Sequence, residues 1–178
     1  APYAQAVLAS VEKRLDAQAA AWSGMHTEAC EATRVRGNQS EDMLTLRMVC
    51  LDSRLREMLA LVDVFTTADR DVVERSVQRV HALESMAQCA DLAALTAPVR
   101  PPSSAATRAR LDVLATHLAQ GRALGGAGRV KQALPVALAA LDEARAIGFP
   151  PAIADALFVA GRVHHLIGDF AHAEQALM

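Results

Sequence analysis

WSGMHTEACEATRVRGNQSEDMLTLRMVCLD, residues 22–52, reads as the end of one helix, a turn and the start of a second, with a cysteine on each arm. Going back from the turn, Leu8, Val11, Leu15, Gln18, Trp22, Met25, Ala29 and Ala32 follow at steps of three and four, with only Gln18 polar. Going forward, Leu44, Met48, Leu51, Leu55, Met58, Val62 and Phe65 repeat the spacing without exception. Such a stripe is the seam of two helices packed side by side. Gly37 and Asn38 can adopt the left-handed backbone that ends a helix, while Ser40, Glu41 and Asp42 supply an N-cap and an acidic first turn. A connection this short makes the two helices antiparallel neighbours.

Cys30 and Cys50 lie nearly equidistant from the turn, each one residue from a seam position, Ala29 and Leu51. Two readings stay open. A Cys30–Cys50 disulfide in an oxidising compartment would close a loop of roughly twenty residues and contribute about 3 kcal/mol on loop-entropy grounds. Alternatively both are buried thiols in a reduced compartment. His26, Glu28, Cys30, Glu31 and Cys50 offer metal-ligand chemistry, but no close pair of soft ligands has zinc-type spacing.

The string Met25-His26-Thr27-Glu28-Ala29-Cys30-Glu31-Ala32-Thr33-Arg34, with Gly37, Gln39-Ser40, Leu46-Arg47-Met48 and Cys50-Leu51-Asp52, resembles a segment of large serine/threonine protein kinases from myxobacteria and their relatives. In that family a kinase domain is followed by a membrane span, a helical segment of this kind and tetratricopeptide repeats. The resemblance implies that the kinase lies upstream, that ATP and Mg belong to that absent domain, and that this fragment is extracytoplasmic and holds no cofactor of its own. It also implies a further cysteine before residue 1, which would leave Cys89 an orphan here; alternatively Cys89 is simply a small buried residue.

The composition suits an all-α chain. Alanine, leucine and arginine dominate the 178 residues, aromatics are 3%, and β-branched residues rarely alternate with polar ones. The net charge is −2, with 10 basic and 14 acidic side chains in residues 1–97 and 8 and 6 in residues 98–178. Neither half is basic enough for nucleic acid. The longest apolar run, Ala133 to Leu141, contains Pro135 and is about half of what a bilayer requires, so no membrane span is expected here. Both ends look cut, since the first helix begins almost at once and Met178 falls inside a helical pattern.

The first helix is expected over 3–36 and the second over 40–65. Thr66-Thr67-Ala68-Asp69 offers capping groups for a third helix marked by Val72, Val73, Val77 and Val80, and 85–95 reads as a short irregular or helical piece. Ala97-Pro98-Val99-Arg100-Pro101-Pro102-Ser103-Ser104 then breaks the helical pattern. The expected organisation is a cap domain over 1–97, a linker over 98–106 and repeats over 107–178.

Within the last part Gly121-Arg122, Gly128, Val130 and Ala133 recur forty positions later as Gly161-Arg162, Gly168, Phe170 and Ala173. The pattern G-x6-G-x-[VF]-x2-A resembles the tetratricopeptide repeat, at a longer period than the usual one. The first pair of helices is expected over 107–124 and 130–147, and the second over 151–167 and from about 169 onward. One and a half repeats of an α-solenoid must borrow a surface to be stable, and the hairpin can lend it. The other end, at Phe170, Ala173 and Leu177, is expected to seek a partner or another copy of the chain.

No catalytic set emerges. Asp169-Phe170 is followed by Ala171, so it is not a kinase metal-binding element, and the glycine-rich stretch 121–131 lacks the closing Gly-Lys-Ser/Thr of a phosphate loop. His164, His165 and His172 could gather around a metal, but adjacent histidines point about 100° apart on a helix, so no metal site is assigned. The resemblance implies a protein-interaction or sensor region of a membrane-anchored kinase; the alternative is a cytoplasmic scaffold with its cysteines reduced. The expected partner is a protein or peptide, in a groove lined by His117, Gln120, Leu124, Ala154, Leu157, Gly161 and His164.

Overall fold

In the computed structural model, which describes residues 2–96 and 102–178, the chain is built of helices with no strand among the described residues. They are α1 (Pro2–Arg34), α2 (Glu41–Thr66), α3 (Arg70–His81), a 3₁₀ turn (Met86–Ala90), α4 (Leu92–Leu95), α5 (Ala105–Gly126), α6 (Val130–Ile147), α7 (Pro150–Leu166) and α8 (Phe170–Leu177). Two units form: Ala1–Met58 with Ser76–Pro98, and Leu59–Arg75 with Val99–Met178. The division thus differs from a single cut at the proline-rich stretch, because Leu59–Arg75 joins the repeats. Of the linker read at 98–106, residues 98–101 lie outside the described residues.

The first unit is organised by the hairpin of α1 and α2. Gly37 takes φ +63°, and the Asn38 N–H returns to the Ala32 carbonyl at 3.0 Å, closing α1 as a left-handed C-terminus requires. Ser40 Oγ accepts from the Met43 N–H at 3.2 Å and starts α2. The seam then closes. Trp22 Nε1 donates to the Leu51 carbonyl at 2.9 Å, and Leu51, Met86 and Cys89 form a buried cluster against Trp22, Met25, Met48 and Cys50. Gln18, the one polar member of the seam, is buried, and its Nε2 makes no hydrogen bond.

The seam does not continue to the end of α2 in the register read from the sequence. In the part of α2 that belongs to the second unit, Leu61 and Val64 are buried and Val62 is exposed. At about 100° per residue Val62 stays within about 20° of Leu51, whereas Val64 lies about 140° round the helix, so a different face of α2 is buried here, with Val64 in the core of the second unit.

The second unit is a repeat-like stack of antiparallel helices, each packed on the next, with α5 also touching α7. Its core joins Leu114, Leu118 and Leu124 of α5, Ala133, Ala137, Ala140 and Ala144 of α6, and Ala156, Val159, Ala160 and Val163 of α7. Small residues at these crossings let the backbones approach closely. A side chain at Gly121 would meet Val159 at 3.3 Å, and one at Gly161 would meet Leu177 at 2.7 Å. The surface that the first repeat borrows comes from Val64 and Val72, with Ala60 and Phe65 alongside.

The forty-residue offset is carried by the backbone as well as by the letters. After α5, Gly128 takes φ +87°, the Arg129 N–H bonds the Leu124 carbonyl at 2.9 Å, and the Gly128 N–H bonds the Gly125 carbonyl at 3.1 Å. After α7, Gly168 takes φ +81°, the Asp169 N–H bonds the His164 carbonyl at 2.9 Å, and the Gly168 N–H bonds the His165 carbonyl at 3.1 Å. Both are the Schellman closure, in which glycine at C′ avoids the steric cost of left-handed backbone.

Candidate functional site

The cysteines are rearranged relative to the hairpin reading. Cys50 is bonded to Cys89, with their Cα atoms 5.6 Å apart, and Cys30 is free. The expected Cys30–Cys50 pair is therefore corrected, and Cys89 is not an orphan.

Geometry explains the error. Cys30 is one residue after seam residue Ala29, and Cys50 one residue before seam residue Leu51. Because α1 and α2 run in opposite directions, those two offsets rotate the side chains to opposite faces of the two-helix layer. Glu28 and Arg47 supply the control: each is one residue before a seam position, both fall on the same face, and they form an ion pair. Cys50 and Arg54 share that face, where the 3₁₀ turn packs. Arg54 donates to Gln88 Oε1 at 2.9 Å and pairs with Glu84 at 2.5 Å, placing Cys89 beside Cys50. The new loop spans 39 positions and contributes about 4 kcal/mol on loop-entropy grounds.

The ligand-type residues around Cys30 are occupied elsewhere. Glu28 pairs with Arg36 and Arg47, Glu31 pairs with Arg36, and His26 lies 5.0 Å from the Trp22 ring. Arg47 is buried, and it also donates to Gln39 Oε1 at 2.8 Å. Charge-assisted hydrogen bonds offset the desolvation of a buried guanidinium.

The seven groove candidates separate. Leu124 and Gly161 are buried inside the stack and offer no surface to a partner. The periods of α5 and α7, each taken alone, do not show that neighbouring helices cover those two. His117, Gln120 and Ala154 stay exposed, and Leu157 is half-buried against the core. His164 turns to Asp169 instead, with Nδ1 3.0 Å from Oδ2 and its side chain only 12% exposed.

That last contact belongs to a cluster. His172 Nδ1 lies 2.7 Å from the same Asp169 oxygen, and the two imidazole rings stack at 5.1 Å. Hydrogen bonding from the His172 side chain, opposed by desolvation and aided by the His172 backbone N–H and the His164 side chain, holds the Asp169 carboxyl below the usual carboxylate range. Among the described residues, His164, Asp169 and His172 are the group whose ligand atoms converge closely enough for a metal ion, all within 4.8 Å. His165 goes elsewhere, packing edge-on to Phe170 at 5.5 Å. Adjacent histidines on a helix point about 100° apart, which separates His165 from His164, while Asp169 across the turn joins His164 to His172.

Next to the cluster the stack carries exposed apolar side chains. Leu166, Ile167, Phe170 and Leu177 are uncovered, Phe170 being 64% exposed, whereas Ala173 is buried. No helix among the described residues is long and apolar enough to cross a membrane. No protein family, curated protein or solved structure matches the chain.

Proposed function

We propose that this chain is the non-catalytic sensor and interaction region of a membrane-anchored bacterial serine/threonine protein kinase. In this reading the stacked helices bind a protein or peptide, and the hairpin transmits that event toward the membrane. ATP and Mg act only in the kinase domain, which lies outside this sequence.

The observation that carries the reading is the Cys50–Cys89 bridge, whose Cys89 side is fully buried. Disulfides persist in oxidising compartments, as expected for a sensor region outside the cytoplasm, whereas a cytoplasmic scaffold would hold these thiols reduced. Two further features support it: the resemblance of residues 25–52 to the segment that follows the span in such kinases, and the uncovered apolar side chains Leu166, Phe170 and Leu177, which suit a protein partner.

Thiol alkylation of the native protein, followed by mass measurement, tests the compartment. One modified cysteine without reductant and three with it are expected. Three without reductant would instead support the cytoplasmic scaffold. The full-length gene product tests the attachment: a kinase motif set and a span of about twenty apolar residues should precede Ala1.

A further inference from the structure

We propose that His164, Asp169 and His172 form a binding site for a divalent transition-metal cation of the zinc type. The three residues come from the end of α7, the N-cap of α8 and the first turn of α8, in the order His-x4-Asp-x2-His.

The backbone holds them in place before any ion arrives. The Asp169 N–H is bonded to the His164 carbonyl at 2.9 Å, and the His172 N–H donates to Asp169 Oδ1 at 3.4 Å. Oδ2 is thereby left to face both imidazoles, at 3.0 Å from His164 Nδ1 and 2.7 Å from His172 Nδ1. Nitrogen and oxygen ligands about 2.0–2.2 Å from a tetrahedral zinc lie about 3.3 Å from one another. The two His–Asp distances are within a few tenths of an ångström of that spacing, and the three ligand atoms already lie within 4.8 Å of one another.

Comparison with the first repeat shows that the turn does not require these residues. The positions forty earlier are Leu124, Arg129 and Gln132, and the same Schellman closure forms there with no metal ligand among them. The second turn thus brings together two imidazoles and a carboxylate that its backbone conformation does not demand. A neutral imidazole can bind the ion through Nδ1 once its proton has moved to Nε2, so the cation replaces the hydrogens now directed at Oδ2. Three protein ligands leave the fourth position to water or to a donor from another molecule. His172, 64% exposed, leaves the cluster accessible from solvent.

Titration of the whole chain with Zn²⁺ by calorimetry, and with Co²⁺ followed by its d–d absorption, tests the site. One saturable equivalent and the strong visible bands of tetrahedral cobalt are expected. His172→Ala and Asp169→Asn should each weaken binding by at least ~10-fold, since even the loss of an outer-shell partner costs that much. His165→Ala and Cys30→Ser should leave it unchanged. Circular dichroism of His172→Ala, a change at an exposed side chain, separates loss of the site from loss of the fold. Absence of saturable binding, binding indifferent to His172→Ala, or binding lost with Cys30→Ser would overturn the proposal.

Discussion

The two units reach stability by different means. In the second, the core runs without interruption through α5, α6 and α7, built from alanine, valine and leucine, and glycine at two crossings lets the helices close on each other. In the first, a smaller buried cluster is joined by specific long-range ties: the Cys50–Cys89 bridge, the Trp22 indole on the Leu51 carbonyl, Arg47 on Glu28 and Gln39, and Arg54 on Glu84 and Gln88. Consecutive short helices bury apolar surface against near neighbours in sequence. A two-helix layer has two open faces, and the element covering one of them must be fastened from far along the chain.

This contrast can be broken most sharply at the bridge. Replacing both Cys50 and Cys89 by alanine should lower the stability of the first unit by about 4 kcal/mol and leave the second unit unaffected. The single tryptophan, Trp22, lies in the first unit, so its fluorescence during denaturant unfolding reads that unit alone. Backbone hydrogen exchange in α5 to α7 reads the other. Equal losses in both would show that the two cores do not depend on different ties. The next largest effect is expected from Leu114→Ala, which removes a side chain only 1% exposed at the centre of the second core. It should cost about 3 kcal/mol, with no change in its size under reductant.

The smallest expected effect has the opposite sign. Gln18→Met removes a buried amide nitrogen that has no hydrogen-bond partner and should stabilise the first unit by about 1 kcal/mol, read as a higher unfolding midpoint of Trp22 fluorescence. A loss of stability would mean that the amide supports the seam.

The same contrast explains what could be read from the residues alone. Period and capping signals are local. Accordingly α6 is found over the predicted 130–147, and α2 starts one residue after its Ser40 cap. The forty-residue recurrence of glycines also predicted where two helices end. Long-range facts were harder. Cys30 and Cys50 match in level along the hairpin, but level does not specify face, and the 3₁₀ turn that brings Cys89 carries no strong periodic signal. Leu124 and Gly161 looked like groove lining because a single helix does not show which of its faces a later helix will cover. His164 was misplaced for a related reason: its partner is a capping aspartate across a turn, visible only once the Gly168 turn brings the two together.

One rod serves both interiors, for α2 gives Leu51 to the first cluster and Val64 to the second. Dissection at the proline-rich stretch would therefore not yield independent halves. A fragment begun at residue 102 would lack Val64 and Val72, which belong to the same core cluster as Leu114 and Leu118, so any minimal soluble version of the repeats has to retain Leu59–Arg75 or an engineered substitute for it.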